Sequence, residues 1–461
     1  MGTLLLDLQR TYQKVLGFGV SGCWWASNWK HHGWPEEWME QTISLLYDRK
    51  KGIGLNTYRH NIGSGSSGDN VAPIRETKAV EIAPLCFDLS VDEENTKMLD
   101  RVLAYPQVDI LTLFINSPPS RMTITGRPNG NPTGETNLKP GYENDFVEYA
   151  VQAAKAYVDA GYPVTFLSPI NEPQWDWHAR AQEGTHYSVD QVMSICAGVA
   201  ERLEELCPSV SLSMPDSARW DHEYMYEIAR RLQETTQLRS RISHLSAHSY
   251  QATAQGRRKV RDALDDAGLS LALHQTEWCE EQQPIADTME NALILARVIH
   301  EDLTILNTPV WEFWKAVETN PDYYQRGLVM LPLNGEWEGP RMTKRGWVLG
   351  QYARFVTGAQ RIHLEMEHAP DGVYGSAYER GEQLILVLTN ETAQREIIAI
   401  DGLQNRQAQV FCTDAAHNLA DLGIQNMAVG CALPAKSVVT CLFGSAPNQE
   451  LRSKPGQQSD D

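Results

Sequence analysis

No stretch of this 461-residue chain approaches the roughly 20 consecutive apolar residues of a membrane-crossing helix, so the sequence does not read as a helical membrane protein. The start, Met1-Gly2-Thr3-Leu4-Leu5-Leu6-Asp7, lacks the basic segment and long apolar core of a secretory leader. A cytoplasmic location is the expectation, with secretion the reading if a leader has been trimmed. Cations are scarce: 40 Lys and Arg against 59 Asp and Glu leave a formal charge of −19. That balance argues against nucleic acid or an anionic membrane as partner, since both need concentrated Lys and Arg. The eight cysteines, at 23, 86, 196, 207, 279, 412, 431 and 441, show neither C-x-x-C spacing nor the density of a disulfide scaffold, and read as reduced, mostly core thiols. No Gly-Lys-Ser/Thr follows the glycines of 62–68, which leaves a rim loop in place of a phosphate loop. His244 and His248 lie four apart, but in a strand-like run that spacing is roughly 13 Å, too far for one ion. No metal and no cofactor is expected.

What is present is alternation. From about residue 14 to 356, short apolar runs at 14–20, 55–62, 109–116, 165–171, 211–215, 244–250, 271–278 and 308–315 alternate with amphipathic helical stretches, among them 36–48, 142–160, 218–235 and 285–306. Eight such units in series read as a (β/α)8 TIM barrel, placed at 13–358. Beyond about 360 the pattern turns to period two, as in Gln383-Leu384-Ile385-Leu386-Val387-Leu388-Thr389-Asn390. That is a side β-sandwich over 359–446, joined by the strand-like residues 1–12. The polar tail 447–461 is expected to be disordered.

Two carboxylates end two of the apolar runs. Glu172 sits in Leu167-Ser168-Pro169-Ile170-Asn171-Glu172-Pro173-Gln174-Trp175, where proline cannot continue a strand ladder, and Glu277 closes Leu271-Ala272-Leu273-His274-Gln275-Thr276-Glu277-Trp278. In a barrel the active site is built at the strands' C-terminal ends, so both point to the mouth. Such a pair is what glycoside cleavage by a retaining route requires: one carboxyl protonates the leaving oxygen and the other attacks the anomeric carbon. A nearby cation or hydroxyl must keep the attacking group ionised, and Arg59 and Tyr250, each at a strand end, are the candidates. His248 stands beside Tyr250 as a hydrogen-bonding group for substrate. Thirteen tryptophans are many, and Trp25, Trp175, Trp177, Trp278, Trp311 and Trp314 fall near strand ends, where indoles can pack on sugar C–H faces. Of the pair in Val310-Trp311-Glu312-Phe313-Trp314-Lys315, Trp311 is favoured for the sugar.

The ordered set Gly17-Phe18-Gly19-Val20-Ser21-Gly22-Cys23-Trp24-Trp25, Arg59-His60-Asn61-Ile62-Gly63, Asn116-Ser117-Pro118-Pro119, Ser168-Pro169-Ile170-Asn171-Glu172-Pro173-Gln174-Trp175, Thr276-Glu277 and Gly350-Gln351-Tyr352-Ala353-Arg354-Phe355 resembles glycoside hydrolase family 30, over essentially the whole chain. The family comprises clan A retaining β-glycosidases built as a (β/α)8 barrel with a side β-sandwich. The resemblance implies Glu172 as general acid/base, Glu277 as nucleophile and Asn171 as the holder of the sugar 2-hydroxyl, with Arg59 and Tyr250 orienting the nucleophile and Asn116 near the substrate. The chain departs from the family pattern at Ser117-Pro118-Pro119-Ser120-Arg121-Met122, where relatives often carry an aromatic. Arg121, or Arg127 nearby, can stack, bind hydroxyls or recognise a carboxylate, or simply make a loop salt bridge.

The implied activity is hydrolysis of β-linked oligosaccharides or small glycosides: β-1,6-galactan or β-glucan oligosaccharides, β-glucosides or β-xylosides. A xylan-type endo-hydrolase is the alternative within the family, and a non-catalytic carbohydrate-binding protein the alternative outside it. The missing leader favours imported oligosaccharides over polymers. Oligomeric state is not legible.

Overall fold

The structure is a computed structural model that describes residues 2–66, 71–178, 181–220, 223–332 and 337–444. The tail expected at 447–461 lies outside the described residues, as do Ser67 and Gly68 of the glycine-rich loop. The chain divides into two compact units, one of Gly17–Gln283 with Glu301–Arg341 and one of Met1–Leu16, Pro284–His300 and Met342–Asp461.

The larger unit holds eight barrel strands. In chain order they are Gly17–Ser21, Thr57–Ile62, Ile110–Ile115, Phe166–Ser168, a fifth in two pieces (Ser211–Leu212 and Pro215–Ser217), His244–Ala247, Ala272–Gln275 and Val310–Phe313. The pairing is parallel throughout. It runs from the first piece of the fifth strand through the fourth, third, second, first, eighth, seventh and sixth to the second piece of the fifth. A sheet that starts and ends on two halves of one strand is closed, and this is a (β/α)8 barrel. Thr57–Ile62, Ile110–Ile115 and Val310–Phe313 are buried at every position, as strands covered on both faces must be. The helix Glu93–Leu103 buries Asn95, Met98, Leu99 and Val102, one stripe at helical spacing. Val189–Leu206 starts on a reciprocal capping box between Ser188 and Gln191.

Two expected elements differ. The single strand read at 211–215 is interrupted after Leu212 and resumes at Pro215, with a register shift against the sixth strand between Ser246 and Ala247. Proline has no N–H to give a continuing ladder, so the second piece starts there. The helix read over 285–306 is α-helical over Met289–Glu301 and continues as a π-turn over Asp302–Leu306.

The smaller unit is a nine-stranded sheet in the order Ala420–Asn426, Gln407–Thr413, Ser437–Phe443, Gln383–Asn390, Val373–Arg380, Gln360–Glu367, Gly2–Lys14, Glu396–Ile400 and Cys431–Leu433. The N-terminal strand Gly2–Lys14 pairs antiparallel with Gln360–Glu367 and parallel with Glu396–Ile400. Its inward side chains form one apolar core that includes Leu4, Leu8, Ile362, Leu386, Val439 and Cys441. The helix Lys344–Val356 belongs to this unit and is tied to the sheet by Gln351, whose amide donates to Thr413 and accepts from Thr440.

Candidate active site

Glu172 and Glu277 both lie just past the C-terminal ends of barrel strands, the fourth and the seventh. Glu172 has a left-handed backbone (φ 47°), unusual for a side-chain-bearing residue and concentrated at functional positions. Its N–H donates to the Asp216 carbonyl at 2.8 Å, and its own carbonyl accepts from the Trp177 indole at 3.2 Å. An oxygen of Glu172, an oxygen of Glu277 and a ring nitrogen of His248 lie within 4.8 Å of one another.

Arg59, from the second strand, organises the floor. It is fully buried and donates to Glu277 Oε2, Asn171 Oδ1 and Asp216 Oδ2, each at 2.8 Å. Its guanidinium also sits 3.6 Å over the Phe114 ring. Burial disfavours the charge, but Asp216 and Glu277 outweigh it and hold Arg59 cationic. The Tyr250 hydroxyl donates to the other Glu277 oxygen at 2.9 Å. Burial pushes the Glu277 carboxyl above its ordinary value, as does the neighbouring Glu172, and His248, Arg59 and Tyr250 offset this only in part. His248 bridges the two glutamates: Nδ1 is 3.0 Å from Glu172 Oε1 and 3.7 Å from Glu277 Oε1, and Nε2 is 3.7 Å from Asp216 Oδ1. Burial would lower the imidazole, yet the Glu277, Asp216 and Glu172 carboxylates lift it to about 10.

Asp216 is the group that sequence reasoning missed. It sits in the second piece of the fifth strand, fully buried, and accepts from Arg59, from the Ser168 hydroxyl at 2.8 Å and from the Thr276 hydroxyl. The signal was its place one residue beyond Pro215, where the ladder breaks. Despite burial, Arg59 and His248 hold its carboxyl well below the usual carboxylate range.

Above this floor opens a cavity of about 560 Å³. Glu172, Glu277, Tyr250, Trp175 and Trp177 line it, together with Trp314, for which Trp311 had been preferred, and Trp24, Arg75, Gln182, Arg219 and Arg326, none of which had been assigned to the site. Trp175 is 43 % exposed and stands at its lip. Three of the expected sugar platforms do not reach the cavity. Trp25 is wholly buried with its indole donating to the Ser21 carbonyl, and Trp278 is buried against Trp311 and Phe313. Trp311 is wholly buried and donates to Asp302 Oδ2 at 2.8 Å. The parity of the eighth strand explains it: Glu312 points into the barrel, where Thr57 donates to it, so Trp311 faces outward and Trp314, on the Glu312 side, enters the cavity. Asn116 is buried, does not line the cavity, and its Nδ2 has no partner among the described residues. Arg121 makes a bidentate pair with Glu81 at 2.9 and 2.6 Å, the loop salt bridge weighed from the sequence.

Two groups of side chains have metal-like spacing among the described residues. In Glu172–His248–Glu277 the groups already pair with one another, His248 Nδ1 lying 3.0 Å from Glu172 Oε1 and 3.7 Å from Glu277 Oε1. In Cys412–Asp414–His417, Asp414 Oδ1 already accepts from the backbone N–H groups of Ala416 and His417.

A barrel with two glutamates paired at its C-terminal mouth, one bound by an arginine and a tyrosine, is the architecture of a glycoside hydrolase. The family model described as O-glycosyl hydrolase family 30 matches residues 2–330, and the chain belongs to that family. Among solved structures it is similar to a conserved exported protein from Bacteroides fragilis, with 22% identity over 95% of this chain and 100% of that one and a TM-score of 0.85. It is also similar to the catalytic domain of xylanase C from Talaromyces cellulolyticus, with 18% identity over 96% and 100% and a TM-score of 0.73. An endo-β-1,6-glucanase gives 16% identity over 96% and 94% and a TM-score of 0.71.

Proposed function

We propose that this glycoside hydrolase cleaves β-linked oligosaccharides or small β-glycosides with retention of anomeric configuration, Glu277 acting as nucleophile and Glu172 as acid/base. The observation that carries this reading is the close approach of the two glutamates, with carboxylate oxygens within 4.8 Å, on the retaining side of the separation that divides the two routes. An inverting site needs about 6.5–9.5 Å between carboxyl groups, to fit a water molecule.

The environments divide the roles. Glu277 receives a charged donor from Arg59 and a hydroxyl from Tyr250, one on each oxygen, which favours its carboxylate form. Glu172 receives neither, and its Oε1 lies 3.0 Å from His248 Nδ1, a route by which a proton can reach it. In the first step a Glu277 oxygen bonds to the anomeric carbon, the glycosidic bond breaks, and the Glu172 proton goes to the departing oxygen. In the second, Glu172 takes a proton from water, whose oxygen displaces Glu277. Asn171, whose Oδ1 is occupied by Arg59, has its amide nitrogen available for the sugar 2-hydroxyl. Trp175, Trp177, Trp24 and Trp314 supply apolar walls for sugar rings.

Xylanase and β-1,6-glucanase structures on this fold support β-1,6-glucan and xylan oligosaccharides as candidates beside β-1,6-galactan oligosaccharides, β-glucosides and β-xylosides. The exported description of the Bacteroides fragilis protein supports an extracytoplasmic site of action. No helix among the described residues is long and apolar enough to cross a membrane. A screen of aryl β-glycosides with β-1,6-linked and xylan oligosaccharides decides the substrate. Turnover that Glu277→Gln and Glu172→Gln leave unchanged would refute the site, and binding without any turnover would favour the non-catalytic reading.

A further inference from the structure

The sandwich core contains three of the eight cysteines, Cys412, Cys431 and Cys441, among its apolar side chains. Cys431 opens the strand Cys431–Leu433 and Cys441 lies within Ser437–Phe443. These are the ninth and third strands of the nine-stranded order, so the two side chains meet through the core and not as neighbours along the sheet. Their sulfurs are 3.3 Å apart and both residues are buried. Cys412 lies on the adjoining strand, where Val410 opposes Cys441 and Cys412 opposes Val439. Its sulfur is turned toward Asp414 Oδ2, at 3.6 Å. One of the three thiols is thus engaged with a carboxylate, and the other two face each other.

We propose that Cys431 and Cys441 are a disulfide site, a covalent staple through the sandwich core that closes when the chain folds under oxidising conditions. A disulfide needs its sulfurs at 2.03–2.05 Å, so the pair must close by about 1.3 Å. The oxidant is a disulfide of a small molecule or of a thiol oxidoreductase. The thiolate of one cysteine, its proton released to solvent, attacks the oxidant and forms a mixed disulfide, expelling one thiolate. The second cysteine loses its proton to solvent, displaces the remaining thiol and leaves Cys431–Cys441. Two cysteine thiols lose two protons and two electrons, and one oxidant disulfide becomes two thiols. Because both sulfurs are buried in the finished core, the exchange belongs to folding.

Sequence spacing makes the test direct. Trypsin cuts after Arg406, Lys436 and Arg452, which puts Cys412 and Cys431 on peptide 407–436 and Cys441 alone on 437–452. The full chain is folded with oxidised glutathione present and, in parallel, with dithiothreitol, then unfolded in acid, alkylated and mapped. The oxidised protein is expected to yield 407–436 linked to 437–452 with Cys412 alkylated, and a melting point about 3 °C or more above the reduced protein. A Cys412→Ala variant keeps the link, and Cys431→Ser loses both the link and the difference in melting point. Full alkylation of Cys431 and Cys441 in the oxidised wild type, or a bridge that uses Cys412, overturns the proposal, and neither result depends on a variant folding.

Discussion

Replacing Asp216 with asparagine keeps the shape of the floor and removes one charge from it. The carboxylate serves Arg59 at 2.8 Å, Ser168 at 2.8 Å and Thr276 at once, and the His248 ring lies 3.7 Å away. Asparagine offers one acceptor oxygen, so at least one buried donor loses its partner, at about 1–3 kcal/mol. Breaking a buried ion pair by neutralising one member costs about 3–5 kcal/mol. Arg59 keeps Glu277 and Asn171, which places the expected loss near 3 kcal/mol. The sign with pH follows from the shift. Asp216 is depressed in the folded chain, so its contribution is present above the unfolded carboxylate pKa, about 3.9, and fades as pH falls below it. His248 is raised, so its contribution is full below about pH 6.5 and is lost as pH rises through about 10. Without Asp216 the contribution is smaller and its alkaline loss is complete at a lower pH. Urea unfolding at several pH values from 3.5 to 9.5 should show a deficit in Asp216→Asn that is full near pH 6 and shrinks toward pH 3.5. Activity should fall by on the order of 10–100-fold, because Arg59 no longer fixes Glu277 and Asn171 from a fixed point of its own. A deficit of constant size across this range would mean that only packing was disturbed, and no deficit at all would refute the electrostatic account of the floor.

Trp175→Ala should raise KM for oligosaccharides about 5–10-fold while leaving kcat on an activated aryl glycoside, and thermal stability, nearly unchanged, since the ring is exposed at the lip. Loss of folding or of kcat would place Trp175 in the core or the chemistry instead. Glu312 is buried inside the barrel and raised to about 7, so its ionisation opposes folding increasingly from about pH 4.5 to 7. Glu312→Gln should gain up to about 3 kcal/mol over wild type by pH 8 relative to pH 4, and a pH-independent difference would contradict the assignment. For Glu172→Ala, added azide should restore turnover and give the β-glycosyl azide, whereas the α-azide would mean the two glutamates had been exchanged.

The parts legible in the sequence were those written in local patterns. Short apolar runs alternating with helical stripes gave the barrel, and Asn171-Glu172-Pro173 and Thr276-Glu277 marked two strand ends because proline and polar residues interrupt apolar runs there. Arg59, His248 and Tyr250 could be found by the same rule, and all three contact the glutamates. The rest depends on facts the local pattern does not contain. Asp216 stands out only once the fifth strand is seen to break at Pro215. Trp311 and Trp314 exchange places according to which parity of the eighth strand faces inward, and that parity is set by a contact between Glu312 and Thr57, 255 residues apart. Gln182 comes from a loop and Arg75 and Arg326 from short 3-10 turns, whose approach to the cavity no periodicity encodes.

The central claim is that Glu277 attacks the sugar. An activated 2-deoxy-2-fluoro β-glycoside of the sugar found by the substrate screen should slow hydrolysis of the glycosyl-enzyme enough to trap it. The account predicts a mass increase of one fluorosugar, located by peptide mapping on the tryptic segment 262–297 at Glu277 and abolished in Glu277→Gln. Label on segment 156–180 at Glu172, or no label together with release of the inverted anomer, would contradict it.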